Sequence, residues 1–96
     1  MVTKRPKPRR PGPRFVVERV QTGVRMEKRI VKVLKALAEL KDMSLGDLLE
    51  GICLHVFDGK LPFSDETRRK IAELKKIYGL DLDSSASHLL REKGEA

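Results

Sequence analysis

Disulfides, long apolar runs and aromatics are nearly absent from this chain: it has one cysteine, Cys53, no tryptophan, one tyrosine and three phenylalanines. A lone thiol closes no internal disulfide and no charged-plus-apolar leader opens the chain, so a reducing, cytoplasmic setting is expected. No uninterrupted apolar stretch approaches the roughly 18 to 20 residues that a membrane-crossing helix needs. Phosphate-loop, nucleophile-elbow and zinc-protease signatures are also missing, which predicts a protein that is not an enzyme and has no cofactor, metal or catalytic residue. Cys53 and His55 are two apart, on different sides of a helix, and make poor joint metal ligands, so Cys53 reads as a small core residue. His88 has no neighbouring ligand in sequence. Ninety-six residues with 40% apolar content offer one modest core, and a partner subunit is expected to supplement it.

What is abundant is positive charge, and it is unevenly placed. Of 21 Lys/Arg and 14 Asp/Glu, residues 1–29 hold ten basic side chains against Glu18 and Glu27, a net +8. Residues 30–96 hold eleven against twelve, a net −1. The excess is N-terminal, and its natural target is a polyanion such as nucleic acid. Residues 1–14, MVTKRPKPRRPGPR, carry four of the five prolines and six Lys/Arg. Proline removes amide donors and like charges repel, so this segment is predicted to be a disordered arm whose Arg9, Arg10 and Arg14 contact phosphates. A solubilising leader is the bland reading of the same composition.

Further on, VQTGVRMEKR at residues 20–29 alternates. Val20, Thr22, Val24 and Met26 occupy one face, and Arg19, Gln21, Gly23 and Arg25 the other, the period of a half-buried strand. From Glu27 the period lengthens to about 3.6: Ile30, Val33, Leu34, Leu37 and Leu40 form the stripe of a helix over 27–41. Ser44 is an N-cap with Asp47 at the third helical position, opening a helix over 45–58 through Leu45, Leu48, Leu49, Ile52 and Val56. Gly59 suits its C-cap. A second cap, Ser64-Asp65-Glu66-Thr67, opens a third helix stopped by Gly79, and Asp83 or Ser84 caps a last short helix through Leu89 and Leu90. Tyr78 and Phe63 read as core or staple residues.

Strand, helix, serine-capped turn and helix over about 40 residues bury too little alone, which predicts a homodimer. Antiparallel pairing of two copies of residues 22–26 turns Thr22, Val24 and Met26 into a shared core with Leu34, Leu37, Leu48, Leu49 and Ile52. Gln21, Gly23 and Arg25 then stand on the outer face of a two-stranded ribbon that fits the major groove of B-DNA, where Gln pairs two-pronged with adenine and Arg with guanine.

The residues QTGVRMEKRIVKVLKALAELKDMSLGDLLEGI resemble the ribbon-helix-helix family of DNA-binding repressors, over roughly residues 20–58. The resemblance implies a mainly α fold with one short β-strand per chain, an intertwined homodimer and, from residue 60, a C-terminal helical extension. It implies base reading by Gln21, Gly23 and Arg25, and phosphate binding at the amide end of the second helix, Ser44 and Leu45, where free amides attract an anion. Gly23 departs from the pattern, since it brings no side-chain hydrogen bond. Either the code contracts to Gln21 and Arg25, with Arg19 or the arm compensating on phosphates, or Gly23 marks the turn of an intrachain hairpin about Gln21-Thr22-Gly23.

The expected organisation is an arm over 1–14, a DNA-binding and dimerisation domain over 15–59, and the extension over 60–96. The expected function is a sequence-specific duplex-DNA-binding transcriptional regulator, a repressor by resemblance. Dimers of dimers on DNA are compatible with it. The alternatives are an antitoxin whose C-terminal segment binds a toxin protein, and a non-specific nucleic-acid binder in which the arm supplies the affinity.

Overall fold

The computed structural model describes residues 14–94. The expectations for residues 1–13, Arg9 and Arg10 among them, lie outside the described residues. Three α-helices follow one another, α1 at Lys28–Leu40, α2 at Leu45–Phe57 and α3 at Asp65–Tyr78, and a single 3-10 turn follows at Ser84–Ala86.

Each helix begins on a side-chain oxygen. Glu27 caps α1, its Oε1 accepting from the Ile30 amide at 3.0 Å. Ser44 Oγ accepts from the Asp47 amide at 3.1 Å at the head of α2, and Ser64 Oγ from the Thr67 amide at 3.2 Å at the head of α3. These bonds satisfy donors that a helix cannot satisfy internally. The three C-terminal ends also share one geometry. A residue in the left-handed region follows each helix, Asp42 (φ 58°), Gly59 (φ 72°) and Gly79 (φ 67°). The next amide then reaches back five residues: Met43 to the Ala38 carbonyl at 3.0 Å, Lys60 to His55 at 2.8 Å and Leu80 to Lys75 at 2.8 Å. Aspartate tolerates this conformation better than most side chains, which is how α1 stops without a glycine.

The core is a seam along α1. Val33, Leu37 and Ala38 of α1 meet Leu48 of α2 and Leu74 of α3, with Leu34, Ala36, Met43, Ile52, Phe63, Ile71 and Leu80 packed around them. Both α2 and α3 pack on α1. Of the residues expected to form a dimer core, Leu37 and Leu48 are therefore buried within one chain, and Leu34, Leu49 and Ile52 are half-buried.

The ribbon-helix-helix expectation is overturned. The described residues contain no strand or sheet, and the chain is a small all-helical protein. Residues 14–27 are without regular structure, because a strand needs a ladder for its amides and carbonyls and the elements beside this segment are helices. Thr22, Val24 and Met26, expected in a shared core, are exposed, Val24 at 77%. The intrachain hairpin is missing too, and Gly23 adopts no left-handed conformation. Nor does the last helix form beyond Ser84–Ala86, since His88 turns left-handed (φ 65°) and leaves Leu89 and Leu90 exposed. Cys53 is exposed instead of buried, because α2 meets the core through the opposite face that carries Leu48 and Ile52. Phe63 packs on the core, whereas Tyr78 is 37% exposed, its ring 6.0 Å from Lys32 Nζ.

Leu37 is 1% exposed and touches the junction on which both other helices rest. Leu37→Ala is expected to cost about 2 to 5 kcal/mol, since it leaves a cavity at the centre of the seam. Chemical denaturation followed by circular dichroism measures it, and a loss within about 0.5 kcal/mol contradicts this core.

Candidate nucleic-acid interface

The residues expected to meet a polyanion lie on the segment 14–27 and at the head of α2. Arg14 reaches over its neighbour Phe15, 5.5 Å from the ring centroid. Arg19 is held by α2: its Nε donates to Glu50 Oε2 at 2.7 Å and its Nη2 to Glu50 Oε1 at 2.8 Å. This two-pronged fork is the geometry in which a guanidinium also binds a phosphate. Arg25 makes a second fork with Glu92, Nε to Oε1 at 3.0 Å and Nη2 to Oε2. Arg29, at the start of α1, donates through Nη1 to the Gly79 carbonyl at 2.9 Å and to Asp81 Oδ1 at 3.0 Å, and through Nε to Glu27 Oε2 at 2.8 Å. The basic segment is thus tied down at three places by carboxylates that are distant in sequence.

Gln21 and Gly23 are exposed, and the space around Gly23 is open. Ser44 is exposed and Leu45 half-buried at the opposite end of the α1–α2 turn. Glu50 lies six residues beyond Ser44, about 9 Å along the axis of α2. The hydrogen bond from Arg19 to Glu50 raises the Arg19 pKa, with a smaller contribution from Asp47 one turn earlier on α2. Arg25 is drawn instead toward the C-terminal segment. The structure binds Arg19 to Glu50 on α2 and Arg25 to Glu92 in the C-terminal segment.

The partners Glu50, Asp81 and Glu92 went unnoticed in the sequence. They lie 31, 52 and 67 residues from their arginines, and no local spacing rule relates pairs at such separations. His55, set aside as a ligand, places Nδ1 2.7 Å from the Gly51 carbonyl oxygen on its own helix. No helix among the described residues is long and apolar enough to cross a membrane.

Comparison with protein families, curated proteins and solved structures finds no match to this chain.

The pairing leaves an electrostatic signature. The hydrogen bond from Arg19 holds the Glu50 carboxyl below its ordinary pKa, and Arg29 does the same for Glu27 with help from the Ile30 amide. Both carboxyls titrate lower folded than unfolded. Their contribution is present above the ordinary glutamate value of about 4.3 and is lost as pH falls through the depressed value. Carboxyl-detected NMR titration is expected to place both below the ordinary glutamate range, with Arg19→Ala returning Glu50 toward that range and leaving Glu27 where it was. An unmoved Glu50 breaks the assignment of the Arg19 fork.

Proposed function

We propose that this protein is a DNA-binding regulator of transcription that engages duplex DNA through its basic N-terminal third. The observation that carries the reading is the segregation of charge, +8 on residues 1–29 against −1 on the rest, together with its display. Arg14, Arg19 and Arg25 project from an exposed segment that the helical core does not absorb. Such a segment can follow a phosphate backbone, exchanging internal carboxylates for phosphates at little cost because exposed ion pairs contribute little. Arg25 and Gln21 are the side chains suited to base edges, and they act here from an extended arm. Ser44, Leu45 and Arg19 supply further phosphate contacts. No catalytic step, cofactor or metal enters this reading.

The active species is proposed to be a homodimer. Five residues make up the buried apolar core, while Leu54 (64%), Phe57 (78%) and Leu61 (77%) stand exposed on and just after α2. Exposed apolar residues of this kind, Leu54 and Phe57 one turn apart on α2, are what self-association covers. Leu54→Asp with Phe57→Asp is expected to reduce the molar mass in light scattering from two chains to one, each 10.9 kDa, with helicity preserved because neither side chain is in the core. A native protein of single-chain mass refutes the dimer.

For DNA reading, selection of bound duplexes from a randomised library compares the native chain with Arg25→Ala. A short enriched motif is expected, degraded at one position by the substitution at a cost of about 1 to 3 kcal/mol for that site. Binding without enrichment assigns the affinity to charge alone and refutes sequence reading. Failure to bind at low salt refutes the proposal.

A further inference from the structure

The arginine best suited to read a base is the one that the chain's own C-terminal segment occupies. Glu92 grips both prongs of Arg25, and the two residues are 67 apart in sequence. Glu92 is carried on a strap, residues 79–94, that leaves the end of α3 and turns back along the molecule. Its first residues are seated: Leu80 packs on the core, and Arg29 binds the Gly79 carbonyl and Asp81. Further on, Leu82 and Leu90 line an apolar groove with Ile30, Val33 and Ile71. Leu90, half exposed at the groove's edge, is two residues before Glu92 and brings the carboxylate within reach of Arg25. The contact is open to solvent, with the Arg25 side chain 81% exposed and that of Glu92 47%. A phosphate can approach the same guanidinium without unfolding anything, and a carboxylate fork and a phosphate fork cannot both be satisfied on one guanidinium face.

We propose that the strap is an autoinhibitory element: Glu92 stands where a nucleic-acid phosphate or base edge would bind and must release Arg25 before the segment engages DNA. This inference rests on the proposed function and adds to it a competition built into the chain. Its consequence is a modest handicap on DNA binding. Every encounter that recruits Arg25 is weakened by the modest cost of releasing Glu92, and a site that offers Arg25 a full set of partners recovers it.

The test is a cycle on the full chain, with fluorescence anisotropy on a labelled, mixed-sequence duplex of roughly 20 base pairs at about 50 mM salt. Glu92→Gln is expected to bind roughly two- to fivefold more tightly than the native protein, the range of an exposed ion pair. The gain is expected to vanish in the Arg25→Ala background, because the strap then has nothing to withhold. Glu73→Gln, which removes the same charge from an exposed position on α3, reports the effect of net charge and is expected to give less. The inference is overturned if Glu92→Gln binds as the native protein does, if its gain survives in Arg25→Ala, or if Glu73→Gln matches it. In all three cases the native protein still binds and the proposed function stands. If none of these proteins binds the duplex, the inference and the proposed function fall together.

Discussion

Everything in this protein leans on α1. It is the helix against which both of the others pack, and Leu37 at its centre is the most deeply buried side chain. With a core this small, the remaining order has to come from the ends of the helices. Side-chain caps at Glu27, Ser44 and Ser64 start them, and left-handed residues with back-reaching amides stop them. Such local devices each contribute modestly, but they satisfy backbone groups that a thin core cannot shelter. The same geometry leaves α2 committed on one face only, so Leu54 and Phe57 are displayed instead of packed.

The second organising force is electrostatic and lies almost wholly at the surface. Arg19 and Arg25 fasten the segment before α1 to α2 and to the C-terminal strap, and Arg29 fastens the start of α1 to the end of α3. At the surface, forks of this kind give orientation more than stability. That suits a segment whose proposed role is to exchange its partners: the internal carboxylates hold the guanidiniums in extended, presented positions, and a polyanion offers the same geometry with more charge. The Arg29 cluster differs from the other two. It ties the cap of α1 to the C-terminal carbonyl of α3, a favourable place for a cation at a helix end, and so belongs to the fold as much as to the surface.

The helices were legible because their signals are local. A 3.6-residue stripe, a serine with a carboxylate three residues on, and a glycine past the last turn placed α1, α2 and α3 within a residue or so of their observed ends. The segment before α1 was misread for a reason the alternation itself contains. Period-two patterning at Val20, Thr22, Val24 and Met26 says which side chains share a face, but a strand exists only where another strand completes its hydrogen bonds, and among the described residues none does. Cys53 was misplaced for a related reason. An apolar position on a helix is buried only if something packs there, and the outer face of α2 meets nothing within the chain. Of the candidate interface, the basic side chains were visible from composition, while the carboxylates that hold them were not.

By itself, then, the sequence determined the three helices with their starts and stops, and the concentration of positive charge in the first third of the chain, since capping, periodicity and charge count depend on neighbours along the backbone. Tertiary structure alone decided that Leu37, Leu48 and Leu74 meet in one seam, that residues 14–27 form no strand or helix, and that Glu50 and Glu92 reach across the fold to Arg19 and Arg25. The physical reason is range: a helix is closed by bonds between residues three to five apart, whereas a core and an ion pair are made by proximity in space, which only the packing of α2, α3 and the strap around α1 creates.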